Sequence, residues 1–120
     1  MTTRVALLAS ALAVAGCSAE TKYVYPGDLA SSNYIRRTRA AQEFAQRADP
    51  SDAEAGFPLL MDERISLRAL GHMALRDLSD GEDFGYRADL EEGDRARVAR
   101  RWQRWWSVSS RTGTGAGGER

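Results

Sequence analysis

The 120-residue chain is poor in residues that usually carry chemistry, with one cysteine, Cys17, and one histidine, His72. A single thiol cannot form an intramolecular disulfide, so the domain must be stable through packing. No His, Cys or acid stands at metal-ligand spacing from His72, and no Ser or Cys partner suggests a triad. The sequence therefore predicts no metal, no cofactor and no enzymatic activity, and a structural or partly exposed His72.

The chain also lacks a charge excess and a long apolar run. Lys and Arg together number 17, and so do Asp and Glu. The chain therefore has no net positive charge that would favour a nucleic-acid partner. The run of residues 5–15 is about half as long as the roughly 20 apolar residues that a membrane-spanning helix needs. We therefore do not expect it to cross a bilayer in the mature protein.

The amino terminus does have the pattern of an export signal. Arg4 precedes the apolar run, which ends in Val14-Ala-Gly-Cys17, where a small-residue cleavage site is expected. These four residues resemble the lipobox of bacterial lipoproteins. The resemblance implies that residues 1–16 are a signal peptide, that Cys17 takes a diacylglycerol thioether, and that its new amino terminus is acylated, with palmitate as the expected fatty acid. An ordinary secretory leader with a chance cysteine is the alternative.

A lipid on Cys17 would fix the protein at a membrane surface, because two or more acyl chains anchor durably whereas one holds only marginally. Ser18 follows the cysteine. In lipoproteins of diderm bacteria, a residue other than Asp at this position usually goes with transfer to the outer membrane. The resemblance therefore implies that the protein is anchored on the periplasmic face of the outer membrane. Residues 17–31, with a turn at Pro26-Gly27, are predicted to be the lipidated tether.

Apolar residues recur at helical spacing in three later segments, and no segment alternates as a strand would. The spacing predicts an all-α domain over residues 32–108, with helices at 32–48, 60–78 and 90–108. The second helix has two apolar stripes, which predicts neighbours on both sides; one contains Leu60, Leu67, Leu70, Ala74 and Leu78, and the weaker one Ile65, Ala69 and Met73. Residues 109–120 are Gly-rich, and a disordered tail is predicted.

The third predicted helix combines Trp102, Trp105 and Trp106 on one face with arginines on the opposite face. Burial of the Trp face is the simplest interpretation, because a small domain without disulfides needs large apolar side chains in its core. The alternative is a membrane or partner surface, with indole rings at the headgroups and arginines on anionic lipid. Nucleic-acid binding by stacking is disfavoured, since the arginines lie opposite the tryptophans.

Residues 57–78 resemble the second half of a HEAT repeat, in which an Asp between the helices is followed six positions later by an Arg, as Asp62 and Arg68 are here. Residues 78–86 and 101–106 are similar to the ends of HEAT-repeat proteins and lipoproteins of planctomycete-like bacteria. The resemblance implies one antiparallel HEAT-like helix pair and a Trp-rich closing helix. It also implies that Asp62 and Arg68 tie the turn before the second helix to that helix or to a neighbour.

HEAT repeats usually bind other proteins. The sequence therefore predicts a noncatalytic, membrane-anchored lipoprotein that acts as a scaffold or protein-interaction module, with another envelope protein as partner. The alternative function is a module that binds the lipid surface through the Trp/Arg helix. An exposed Trp face would favour this alternative, and a buried face would count against it.

Overall fold

The fold is all-α, as the sequence predicts. The computed structural model describes residues 22–119, and side chains for residues 22–110; the predicted signal peptide and Cys17 lie outside this range. Four α-helices follow in order, and no strand occurs in the described part of the chain: α1 (Tyr34–Arg47), α2 (Ala53–Gly56), α3 (Ile65–Leu78) and α4 (Glu92–Glu119). A 3₁₀ turn at Gly27–Ala30 precedes α1, and two more, Pro50–Asp52 and Phe57–Met61, precede α2 and α3.

Helix α1 begins and ends close to its predicted bounds. The Asn33 side chain caps its start by accepting a hydrogen bond from the Arg36 N–H at 3.1 Å. At its end Ala48 adopts a left-handed conformation with φ of 44°, and Pro50 disfavours a helical Asp49. The buried face of α1 consists of Ala40, Ala41 and Phe44.

Helix α3 begins at Ile65, five residues later than the predicted start. Residues 57–61 form a 3₁₀ turn instead, with Pro58 in its first turn. The carboxylate of Asp62 then accepts a hydrogen bond from the Arg64 N–H at 2.9 Å. Such a local side-chain contact gives the backbone an alternative to the helix, so the chain turns before α3 starts.

The chain doubles back at this turn, so that Phe57–Met61 runs antiparallel to α3. A Cβ on Gly71 would lie 2.7 Å from the Cβ of Leu59, so glycine permits the close approach of the two segments. The antiparallel neighbour of α3 is therefore the Phe57–Met61 turn rather than α1. Phe57, Leu59 and Leu60 are buried, and α4 packs against the same turn.

The prediction that both apolar stripes of the second helix are covered by neighbours is wrong for the weaker stripe. Leu67, Ala74 and Leu75 are buried, but Ile65 and Met73 of the weaker stripe are 55% and 57% exposed. The physical reason is that α3 has two main packing neighbours, α1 and the Phe57–Met61 turn, and neither of them covers the side that carries Ile65 and Met73.

Helix α4 also differs from its predicted bounds. Its backbone is helical to Glu119 and so covers most of residues 109–120, for which the sequence predicts a disordered tail. Once a helix is nucleated, each further residue adds a hydrogen bond, although each glycine costs about 1 kcal/mol relative to alanine.

Candidate functional site

Asp62 lies where α1 meets the turn before α3. The Arg37 Nε donates to Asp62 Oδ2 at 2.7 Å, and the two side chains are only 13% and 7% exposed. Arg37 also donates through Nη1 to the Ser31 carbonyl at 2.9 Å. Asp62 therefore joins the turn to a neighbouring helix through Arg37. Sequence reasoning missed Arg37 because the two residues are 25 positions apart.

Arg68 is buried, but its guanidinium does not take the expected position on the Asp62 carboxylate. Its Nη1 donates to the backbone carbonyl of Asp62 at 2.7 Å, and its Nε donates to the carbonyl of Ala88 at 2.8 Å. The physical reason is that the Asp62 carboxylate is already engaged by Arg37 and by the Arg64 N–H. Arg68 thus joins the turn to the loop between α3 and α4.

A groove lies between α1 and α3. At one end the Arg64 guanidinium carbon stands 3.6 Å from the centroid of the Tyr34 ring. Further along, Ala45 of α1 and Ala69 and Met73 of α3 line an open groove of about 470 Å³. Because early residues of α1 lie near the start of α3 and late ones near its middle, the two helices run in the same direction.

One wall of this groove carries the single histidine. The Nε2 of His72 lies 2.8 Å from Asp83 Oδ2, and the Gly85 N–H donates to Asp83 Oδ1 at 3.0 Å. The imidazole also stands edge-on to Tyr86, with ring centroids 5.0 Å apart. Sequence reasoning gave His72 no partner, because Asp83 follows 11 residues later in a loop whose path has no sequence signal.

A His–Asp pair can orient an imidazole as a general base, which in a catalytic triad acts on a Ser, Thr or Cys nucleophile. The described residues that line the groove include no Ser, Thr or Cys. Arg76 lies 4.0 Å from the same carboxylate oxygen of Asp83. His72, Arg76 and Asp83 form a polar contact between α3 and the loop.

This contact predicts a pH dependence of stability. Burial alone would raise the pKa of Asp83, but hydrogen bonds from His72 and the Gly85 N–H, with the charges of His72 and Arg76, lower it below 3.8. A lowered folded-state pKa contributes stability that is present above the unfolded-state value and is lost as the pH falls through the folded-state value.

We expect the free energy of unfolding of the wild type to fall more steeply below roughly pH 4 than that of Asp83→Asn. Urea unfolding at several pH values between roughly 5 and 3 measures this difference. Other carboxylates with lowered pKa values, Asp49 and Asp89, are common to both proteins. Parallel stability curves would show that Asp83 does not contribute.

Trp102 lies at the centre of a buried aromatic cluster. Its ring is edge-on to Phe57 with centroids 5.9 Å apart, and the centroids of Tyr86 and Phe84 lie 6.2 and 6.5 Å away. Its indole N–H donates to the buried Ser79 Oγ at 3.0 Å. Burial raises the pKa of Tyr86 to about 12. Trp102 therefore joins α4 to the loop and to the Phe57–Met61 turn.

The other two tryptophans occupy different surroundings. Trp106 is half-buried against the core, whereas Trp105 is 37% exposed. Trp105 stands 5.5 Å from Phe84, and the Arg101 guanidinium lies 5.1 Å from the centroid of the same Phe84 ring. The separation of tryptophans from arginines that the sequence suggests therefore holds for Trp102 but not for Trp105.

Within the described residues, no group of three or more His, Cys, Asp or Glu side chains could hold a metal ion. No helix in that part of the chain combines the length and the apolar character needed to cross a bilayer. Comparison with known proteins gives no match to a family model, to a curated protein or to a solved structure.

Proposed function

We propose that this protein is a membrane-anchored envelope lipoprotein that works as a noncatalytic adaptor and binds another envelope protein. The anchor rests on the lipobox-like sequence that ends at Cys17. The adaptor role rests on one observation, the exposed apolar stripe along α3 beside the groove. Ile65 and Met73 are more than half exposed.

The stripe has the geometry of a helix-packing ridge. Ile65, Ala69 and Met73 follow one another at intervals of four residues, and rows of this spacing pack into the grooves of a neighbouring helix. Tyr34 and Ala45 of α1 continue the surface on the other side of the groove. An amphipathic helix of the partner fits such a surface through its apolar face.

Charged groups border this apolar surface. Arg76 and Asp77 line the same groove as Ala69 and Met73, and both charged residues are exposed. A polar border around an apolar centre is the usual arrangement of a protein–protein interface. The partner helix is therefore expected to present an apolar ridge with charged residues beside it that face Arg76 and Asp77.

A photo-crosslinking residue in place of Ala69, in the lipidated protein within its native envelope, tests the proposal. We expect one discrete adduct with another envelope protein. Met73→Asp should weaken its formation on the order of tenfold, because the carboxylate would have to lose its water against the apolar face of the partner. Ile35→Asp on α1 is the matched control, since Ile35 and Met73 are both 57% exposed and Ile35 does not line the groove.

The proposal predicts loss of the adduct with Met73→Asp and its retention with Ile35→Asp. The absence of any discrete adduct, or equal yields from the two variants, would contradict the adaptor role of this groove.

A further inference from the structure

The outer face of α4 is strongly basic. Arg100, Arg101 and Arg104 are exposed, and no ion pair engages them within the described residues, whereas Arg97 is paired with Asp94 at 2.7 Å. Residues 95–110 contain no Asp or Glu. The face therefore presents three cationic groups in a chain whose formal net charge is +0.

Apolar side chains lie on the same face. At 100° per residue, Arg101, Arg104, Trp105 and Val108 fall within about 100° of the helix circumference. Trp105 is 37% and Val108 57% exposed. Arg101 reaches over the Phe84 ring, which Trp105 also contacts. Cationic and apolar groups are therefore available to one ligand at once.

We propose that this face docks the domain onto the anionic phospholipid surface of the membrane in which the protein is anchored. The arginines would bind lipid phosphates, while Trp105 and Val108 would enter the interfacial region, where tryptophan is enriched. This inference rests on the lipid anchor of the proposed function. It leaves the groove free, because the groove belongs to α1 and α3.

The length of chain between Cys17 and the domain supports this occupant. Lys22, the first described residue, lies five positions after Cys17, and five residues span at most about 17 Å. A lipid on Cys17 would therefore hold the domain close to the bilayer, within reach of its anionic lipids.

A single-stranded nucleic acid fits the face less well. Such ligands are bound by successive bases stacked on several aromatic rings, whereas Trp105 is the one exposed tryptophan of α4. The ring of Trp105 is also engaged edge-on with Phe84. Val108 offers an aliphatic side chain, which suits lipid better than a base.

The test uses the mature acylated protein, reconstituted into vesicles of phosphatidylcholine alone or with phosphatidylglycerol. Bromine-labelled acyl chains quench tryptophan fluorescence at the interface, and Trp105→Phe identifies the contribution of Trp105. We expect stronger quenching in the anionic vesicles. Each arginine removed should reduce the ratio of docked to undocked protein about fivefold.

Matched charge reversals make the test specific. Arg100→Glu with Arg104→Glu should abolish the extra quenching in anionic vesicles. Arg36→Glu with Arg39→Glu changes the net charge equally on exposed positions of α1 and should retain it. Equal quenching in both kinds of vesicle, or equal loss in both double variants, would overturn the docking.

The outcomes also separate this inference from the anchor. Protein that leaves both kinds of vesicle would contradict the anchor itself. Protein that stays bound without any dependence on anionic lipid would contradict the docking alone. Preferential binding of a single-stranded oligonucleotide by the same arginines, in competition with anionic vesicles, would overturn the choice of ligand.

Discussion

Replacing Trp102 by alanine is expected to lower the free energy of unfolding by about 3 to 5 kcal/mol, the usual cost of removing a fully buried aromatic side chain. The indole is completely buried and joins α4 to the Phe57–Met61 turn through its contact with Phe57. Its loss would also leave the buried hydroxyl of Ser79 without its indole donor. Urea unfolding followed by circular dichroism measures the change.

Two further variants locate the origin of this effect. Trp102→Phe keeps most of the ring volume but removes the hydrogen bond to Ser79, so it should cost less than Trp102→Ala. Trp105→Ala, at a position that is 37% exposed, should cost clearly less than either core change. Equal losses from Trp102→Ala and Trp105→Ala would show that Trp102 is not the centre of the core.

Asp62→Ala is expected to lower the free energy of unfolding by about 3 kcal/mol, because it leaves the largely covered side chain of Arg37, which is 13% exposed, without its carboxylate partner. Arg37→Ala should cost a similar amount for the converse reason. The double variant should cost markedly less than the sum of the two, which a double-mutant cycle by urea unfolding measures.

Arg68→Ala provides the comparison. Arg68 donates to the backbone carbonyl of Asp62 and not to its carboxylate, so the energetic coupling of Asp62 with Arg68 should be smaller than that with Arg37. The HEAT resemblance alone would favour the Asp62–Arg68 pair as the coupled one. A larger coupling energy for Asp62 with Arg68 would contradict the hydrogen-bond geometry described above.

Helical periodicity was sufficient to predict the fold class and the approximate positions of α1, α3 and α4. It reports which residues share a face, but it does not report which face finds a neighbour. The spacing of Ile65 and Met73 is typical of a helix face that a neighbour covers. In the structure both side chains are exposed. The late start of α3 depends on the contact of Asp62 with the Arg64 N–H, which periodicity does not detect.

The candidate surfaces show a similar division. Trp102 and Trp105 are three residues apart on one helix, yet only Trp102 lies in the core. Phe57 and Tyr86 also pack against Trp102, whereas the one ring contact of Trp105 in the described residues is with Phe84, a loop residue with φ of 57°. The partner of His72 likewise depends on how this loop folds back. Loop paths of this kind have no periodic signal in a single sequence.

The two proposed surfaces have distinct consequences for one molecule. The groove between α1 and α3 is lined by Ala45, Ala69 and Met73, while the basic face belongs to α4. Met73→Asp should therefore impair partner binding without changing lipid docking, and the Arg100→Glu, Arg104→Glu variant should do the reverse. Both proposals depend on a protein that is held at a membrane.

Mass spectrometry of the amino-terminal peptide, from protein made in the native host, is the most direct test of the membrane anchor. The account predicts a chain that begins at Cys17, with a diacylglycerol thioether on its sulfur and an acylated amino group. Cys17→Ser should lack the lipid and should no longer partition into a detergent phase. An unmodified Cys17, or a mature chain that begins elsewhere, would contradict the membrane anchor.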